Sequence, residues 1–147
     1  MKTRLIRIST LFVVMAMVSA GGCGGSSSPP PSGGNDQPPA PEVRNISGVQ
    51  LQEMLNEGRL MVIIDVRSAT EYGGGHIPGS INIPLGQLDD TITNGALNSE
   101  MTTVAVCGAG VRSAEAAELL LNSGFGNVYN LEDGLNAWDG EVVTAGG

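Results

Sequence analysis

The stretch that decides the fold reads Val104-Ala105-Val106-Cys107-Gly108-Ala109-Gly110-Val111-Arg112-Ser113. Residues 103–106 form a short, apolar, mostly β-branched run, which predicts a central β-strand. From Ser113 onward, alanines and leucines recur with the spacing of an amphipathic helix, and Gly124 is a typical helix stop. Cys107 is therefore expected at the carboxyl end of a strand, directly before a helix, where open α/β sheets bind their ligands.

The loop after this strand has the features of an anion-binding site. Two glycines allow successive backbone N–H groups to turn inward, and the following helix contributes partial positive charge. An arginine adds a fixed charge at the rim. A thiol held there is expected to ionise more easily than a free one, and the thiolate is the nucleophile. The sequence thus predicts Cys107 as the catalytic residue, with substrate or persulfide bound by Gly108, Ala109, Gly110, Val111 and Arg112.

Each part of this loop also has a plainer interpretation. A lone cysteine at a strand end is commonly a small buried apolar residue, and Arg112 alone is an ordinary surface arginine. Gly108-x-Gly110 is half of a dinucleotide-binding fingerprint, but Ser113 stands at the third glycine position and the strand is not the first of the domain. The combination of cysteine, arginine and internal glycines at this spacing favours a reactive Cys107.

Strand and helix signals alternate along the rest of the chain. Ser47-x-x-Gln50 and Ser68-x-x-Glu71 are capping boxes that predict two helix starts. The first helix is expected to end at Gly58, and its apolar face comprises Val49, Leu51, Met54 and Leu55. The other predicted elements are an edge strand at 46, strands at 60–66, 81–83 and 128–131, a helix from 85, a loop at 91–99 and a helix at 134–139. This order predicts an α/β fold, an open parallel sheet with helices on both faces.

The loop from Cys107 to Ser113 resembles the active-site loop of rhodanese domains, which are sulfurtransferases. Three further stretches resemble the other motifs of that family, in the same order. They are Val62-Ile63-Ile64-Asp65-Val66-Arg67 with Glu71-Tyr72, Gly75-His76-Ile77-Pro78-Gly79-Ser80-Ile81-Asn82-Ile83-Pro84, and Gly124-Phe125 through Val128-Tyr129-Asn130-Leu131 to Gly134-Leu135-Asn136-Ala137-Trp138. The likeness covers about residues 46–143 and implies a rhodanese-like sheet of five strands in a single-domain form.

The resemblance implies transfer of a sulfane sulfur, from thiosulfate or a persulfide, to cyanide, sulfite or a thiol through a persulfide on Cys107. No cofactor is expected. Phosphatase and arsenate-reductase relatives have a loop one residue longer, which disfavours an oxyanion enzyme such as a phosphatase here. Relatives often carry a basic or larger residue where this chain has Gly108, so thiosulfate is expected to bind weakly. The alternative is a non-catalytic module, tethered to a membrane, that binds sulfur or polysulfide or senses redox state.

Several other residues receive supporting roles. The resemblance implies that Asp65 holds loops near the site, and Arg67 and Glu71, four residues apart, are expected to pair with each other. His76 is a conceivable base for Cys107, but the resemblance makes it a loop-fixing residue, and Trp138 is expected to fill the core. We find no Cys/His cluster with metal-ligand spacing and expect no metal. A solvated helix face is expected at Glu115 and Glu118.

The first 41 residues have the composition of targeting and tether segments. Residues 1–22 form a signal peptide, with Lys2, Arg4 and Arg7 before an apolar run at 11–18 that is too short to span a bilayer. The small residues before Cys23 resemble the lipobox of bacterial lipoproteins, which implies a lipidated cysteine; the alternative is cleavage after Ala20 and secretion. Residues 23–41, rich in Gly, Ser and Pro, are expected to form a disordered tether reaching about 25 Å, which leaves 42–147 as the folded domain.

Charge and cysteine content limit the partners of the processed chain. Three of the seven basic residues lie in the signal, so four arginines face fifteen carboxylates, a formal net charge of −11 with no lysine. This excludes nucleic-acid binding and charge-driven docking to anionic lipid. A lipid anchor to the periplasmic side of a bacterial membrane is expected, at the outer membrane because Gly24 is not the aspartate of inner-membrane retention. The expected partners are a small sulfur donor and a thiophilic acceptor, and the expected state is a monomer.

Overall fold

A computed structural model describes residues 41–144, so the signal peptide, Cys23, nearly all of the tether and residues 145–147 lie outside the described part. Strands and helices alternate along the described residues, as the sequence predicts. In chain order they are β1 (Arg44–Ile46), α1 (Gly48–Asn56), β2 (Met61–Asp65), α2 (Ala69–Gly73), β3 (Ile81–Asn82), α3 (Leu85–Thr93), β4 (Thr102–Val106), α4 (Val111–Asn122), β5 (Val128–Leu131) and a 3-10 helix (Gly134–Ala137).

The strands form one parallel sheet in the order β1-β5-β4-β2-β3, with β4 at its centre. In the register of β2 and β4, Asp65 lies opposite Val106. Because parallel strands end at the same edge, the segment that follows Asp65 and the loop that begins at Cys107 lie side by side. The predicted α/β fold is confirmed, and its topology brings two sequence-distant motifs together.

Helices cover both faces of the sheet, because alternate strand residues point to opposite sides. Ala105 and Cys107 belong to the cluster that packs against α3 and α4, and Val104 and Val106 belong to the cluster beneath α1. Val104, Ala105 and Val106 are all buried, as expected for a strand covered on both faces. The base of the Cys107 loop is therefore fixed on the buried central strand of the sheet.

Both predicted capping boxes are present. The Ser47 hydroxyl accepts the Gln50 amide and the Gln50 side chain accepts the Ser47 amide, and Ser68 and Glu71 exchange the equivalent bonds. Helix α4 starts at Val111, two residues before the start of the predicted helical pattern, because Gly110 serves as its N-cap in the left-handed conformation.

The structure corrects several details of the sequence prediction. Val49 is exposed because the buried side of α1 is built on Leu51 and Met54, three residues apart. Leu60 is exposed because it precedes β2. Helix α3 continues to Thr93 through residues predicted to be a loop; its outer face is polar, and only Leu88 is buried. The last helix is a 3-10 turn that ends at Ala137, and the half-buried Trp138 packs against the α1-side cluster.

Candidate active site

Cys107 lies at the carboxyl end of β4, and only 1% of its surface is exposed. Its carbonyl oxygen accepts the Leu135 amide at 2.8 Å, and the next carbonyl, that of Gly108, accepts the Asn136 amide at 2.9 Å. Both carbonyls are thus bound by the 3-10 helix, which fixes the first two residues of the loop.

The sulfur of Cys107 is surrounded by hydrogen-bond donors. The Ser113 hydroxyl lies 3.3 Å from Sγ, and the amides of Ser113, Ala109 and Gly110 also donate to it. Burial of the thiol raises its pKa, but these hydrogen bonds favour the thiolate, and together they bring the pKa of Cys107 below its ordinary value. Of the residues predicted to form the anion nest, Ala109 and Gly110 donate amides to the sulfur, and the third amide comes from Ser113.

Ser113 is a site residue that the sequence analysis missed. It is fully buried, and its hydroxyl also lies 3.1 Å from the Gly110 carbonyl oxygen, so the side chain is held between the loop and the sulfur. Ser113 is the third residue of α4, one turn after the N-cap. A small polar residue at that position of a helix following a cysteine loop is the signal that points to it.

Two glycines allow the loop to pack closely against the segment that follows β5. Gly110 has φ 82°, and a Cβ atom there would lie 1.6 Å from the Glu132 carbonyl oxygen. Gly134 has φ 61°, and its Cβ would lie 2.5 Å from the Cys107 carbonyl oxygen. Both positions require glycine for conformation and for space. At Gly108, by contrast, a Cβ would meet only Arg112 and Asn136, at 3.8 and 3.9 Å, so this position is open.

Arg112 lies at the rim of the loop, as predicted, but its guanidinium is paired with a carboxylate. Nη1 donates to Oε2 of Glu71 at 3.0 Å and Nη2 donates to Oε1 at 2.8 Å; both side chains are 42% exposed. The hydrogen bonds to Glu71 raise the pKa of Arg112. The same contacts, with help from Ser68, hold the pKa of the Glu71 carboxyl far below its usual range.

The predicted pairing of Arg67 with Glu71 is wrong. Arg67 precedes the N-cap of α2, so the helical spacing that brings residues four apart together does not apply to it. It binds Asp65 instead, with Nε 2.9 Å from Oδ1, and both residues are buried. Arg67 Nη2 also donates to the Gly75 carbonyl oxygen at 2.7 Å. Asp65 and Arg67 thus tie the end of β2 to the turn after α2, beside the Cys107 loop.

His76 belongs to the same supporting region and not to the surroundings of the sulfur. Its ring stacks on Tyr72 with centroids 3.7 Å apart, and its Nδ1 lies 2.9 Å from the Tyr72 carbonyl oxygen. Its backbone exchanges two hydrogen bonds with Val143. These contacts fix the loop. Glu115 and Glu118 are exposed on α4.

Residues 41–144 contain neither a cluster of metal ligands nor a helix that could span a membrane. No three or more His, Cys, Asp or Glu side chains in that range are placed to hold a metal ion. The helices of the described region are all too short or too polar to cross a lipid bilayer.

Comparison with known proteins agrees with this geometry. The rhodanese-like domain model matches residues 47–141. The uncharacterized protein YqhL of Bacillus subtilis is 38% identical; the match covers 54% of this chain and 62% of that protein. The thiosulfate sulfurtransferase GlpE of Shewanella oneidensis is 34% identical over 65% of this chain and 91% of its own length.

Solved structures give the same result. The crystal structure of a rhodanese-like domain protein from Staphylococcus aureus is 32% identical, with a TM-score of 0.60, and the match covers 69% of this chain and 98% of that one. The family match includes β2, β4 and the loop between Cys107 and Ser113. The chain therefore belongs to the rhodanese-like domain family.

Proposed function

We propose that this protein is a sulfurtransferase that carries a sulfane sulfur on Cys107. The observation that carries the proposal is the surroundings of Sγ, where three amides and the Ser113 hydroxyl lower the pKa of a buried thiol. The thiosulfate sulfurtransferase name of the Shewanella relative supports the same reaction class. Ala109 and Gly110 would bind the anion through their amides, whereas Gly108, Val111 and Arg112 would line the mouth of the site.

The reaction has two halves with one covalent intermediate. The Cys107 thiolate attacks the sulfane sulfur of the donor, the bond from that sulfur to the donor breaks, and the donor leaves with the electron pair, as sulfite when thiosulfate is used. The outer sulfur of the persulfide then lies within reach of the loop amides, which stabilise its negative charge. A thiophilic acceptor attacks the outer sulfur, and the Cys107 thiolate leaves and is ready for another donor. No cofactor takes part in this scheme.

The test uses the full-length Cys23→Ser chain, in which Cys107 is the only thiol. Incubation with thiosulfate or inorganic polysulfide should add the mass of one sulfur atom, and cyanide should remove that sulfur as thiocyanate over many turnovers. Cys107→Ser should abolish both signals while the circular dichroism spectrum stays unchanged. Loading without turnover would favour the non-catalytic sulfur-binding or redox-sensing module, and a folded chain that no donor loads would refute the proposal.

We also propose that residues 42–147 work as a monomer on the periplasmic side of a bacterial membrane, held by a lipid on Cys23 and the tether at 23–41. The support is the order of charged, apolar and small residues before Cys23. Metabolic labelling with a fatty acid should mark the chain in the outer-membrane fraction and should not mark Cys23→Ala. An unlabelled chain in the medium would instead indicate ordinary secretion.

A further inference from the structure

We propose that Glu71 determines donor specificity: by neutralising Arg112, it directs the site toward organic hydropersulfides, R–S–SH, which have an uncharged R group and carry at most one negative charge, and away from the thiosulfate dianion. This inference rests on the proposed sulfur transfer through Cys107. It assigns to Glu71 a role at the mouth of the site, beyond its role in capping α2.

The first observation is that both ends of the guanidinium are occupied. The two terminal nitrogens of Arg112 face the two carboxylate oxygens of Glu71 in a fork, at 3.0 and 2.8 Å. Glu71 is itself fixed, because its Oε2 accepts the Ser68 amide at 3.0 Å and the Ser68 hydroxyl at 2.8 Å. An anion that approached Arg112 would find only its remaining N–H groups, on a guanidinium whose charge is already balanced by a fixed carboxylate.

The second observation is that other cations do not compensate. Among the described residues, Arg59 pairs with Glu57 and Arg67 pairs with Asp65, so each of these charges is also matched. Arg44 lies over the ring of Tyr129, 5.5 Å from its centroid, at the start of β1 and thus at the opposite edge of the sheet from Cys107. The processed chain has no lysine and carries fifteen carboxylates. A dianion therefore approaches a protein of net negative charge, with no unpaired arginine beside the site among the described residues.

The third observation is that the mouth offers an apolar surface. Val111, the first residue of α4, follows the loop directly and is 77% exposed. Gly108 has no side chain, and a Cβ there would make only ordinary van der Waals contacts with Arg112 and Asn136. An uncharged R group can contact Val111 and lie beside Gly108. Sulfite, the leaving group from thiosulfate, has no apolar part to place there.

The chemistry with a hydropersulfide is balanced without another reactant. The Cys107 thiolate attacks the outer sulfur of R–S–SH, a new S–S bond forms, and the bond to the inner sulfur breaks. The inner sulfur leaves as the thiolate R–S⁻ with the electron pair. The proton on the transferred sulfur is then released to water, and the loop amides hold the single negative charge of the persulfide.

Glu71→Gln is the variant that tests the charge alone. Glutamine keeps the shape of the side chain, and Gln50 already fills the matching position in the capping box of α1, so α2 should still be capped. Glu57→Gln is the matched control, because it also removes one negative charge and one pair with arginine, but on the exposed segment after α1.

The measurement is the second-order rate constant for persulfide formation on Cys107, taken from intact masses of timed, quenched samples. The full-length Cys23→Ser chain is mixed with thiosulfate or with the hydropersulfide of 2-mercaptoethanol. In the chain that keeps Glu71, the hydropersulfide should load Cys107 faster than thiosulfate does. Glu71→Gln should raise the thiosulfate constant about fivefold and should leave the hydropersulfide constant within about twofold. Glu57→Gln should leave both within about twofold.

Salt gives a second readout that a purely structural role for Glu71 would not affect. Added salt should speed loading from thiosulfate in the chain with Glu71, because screening weakens repulsion, and should do so less in Glu71→Gln. A folded Glu71→Gln chain with an unchanged or lower thiosulfate constant would overturn the specificity assignment, as would a parent chain that prefers thiosulfate. Failure of both donors to load Cys107 in every variant would overturn the proposed sulfur transfer itself.

Discussion

At the scale of single residues, the charge of the Cys107 sulfur depends on hydrogen bonds and not on a neighbouring base. Three amides and the Ser113 hydroxyl offset the cost of burying a thiolate, and the imidazole of His76 is engaged with Tyr72. These hydrogen bonds favour the thiolate over the thiol without a proton acceptor beside the sulfur. Activation is therefore a property of the loop backbone and of one hydroxyl.

We predict that Ser113→Ala raises the pKa of Cys107, because the hydroxyl bond to Sγ that favours the thiolate is lost. The measurement is the rate of iodoacetamide alkylation against pH in the Cys23→Ser chain. The parent midpoint should lie below that of a free cysteine, and the variant midpoint should lie above the parent's. Ser123→Ala, which removes a hydroxyl bonded to the Leu119 carbonyl at the far end of α4, is the control. Coinciding midpoints for parent and Ser113→Ala would contradict the assignment.

We predict that Gly110→Ala destabilises the fold by about 3 kcal/mol or more, because the new Cβ would overlap the Glu132 carbonyl and φ is 82°. Urea unfolding of the full-length chain measures the loss. Gly86→Ala is the control, because Gly86 lies in α3 with open space around it. The free energy of unfolding of this variant should be unchanged or raised by up to about 1 kcal/mol. Equal effects of the two substitutions would mean that the loop does not need its close approach to Glu132.

At the scale of elements, the site is assembled from pieces that each start or end at the carboxyl edge of the sheet. Helix α2 supplies Glu71, α4 supplies Arg112 and Ser113, and the 3-10 helix supplies the amides of Leu135 and Asn136. The pair between Glu71 and Arg112 joins α2 to α4 across the mouth. The same carboxylate thus caps one helix and binds the first turn of another.

This double use predicts a pH-dependent contribution to stability. The pKa of Glu71 in the folded chain lies below its usual range. The ionised carboxylate therefore adds to the free energy of unfolding at pH values above the pKa of the unfolded state, about 4.3. This contribution is lost as pH falls toward the folded pKa. At pH 7, Glu71→Gln should lower the free energy of unfolding by about 0.5–1 kcal/mol, a small value because the pair is 42% exposed. The difference should shrink as pH falls below about 4. Glu118→Gln, on the exposed face of α4, is the control. A difference that stayed constant to low pH would refute the linkage.

At the scale of the whole molecule, the sequence predicts what local patterns determine. Apolar runs and capping boxes locate β4, β5 and the starts of α1 and α2, because each signal lies within a few residues of the element it specifies. The partner of Arg112 was missed because Glu71 is 41 residues away in sequence. Arg67 was paired wrongly because spacing alone cannot show that a residue precedes its helix. Contacts of this kind are set by the parallel topology, which places the ends of β2 and β4 side by side.

The two amide contacts from the 3-10 helix to the loop carbonyls have one more consequence. Since the carbonyls of Cys107 and Gly108 are already bound, rotation of their peptide planes when sulfur is gained or lost would break these two hydrogen bonds. The work of orienting these dipoles is done once, during folding, and does not recur in each catalytic cycle. The loop would therefore present one rigid geometry to the free thiolate and to the persulfide, and turnover would proceed without reorganisation of its backbone.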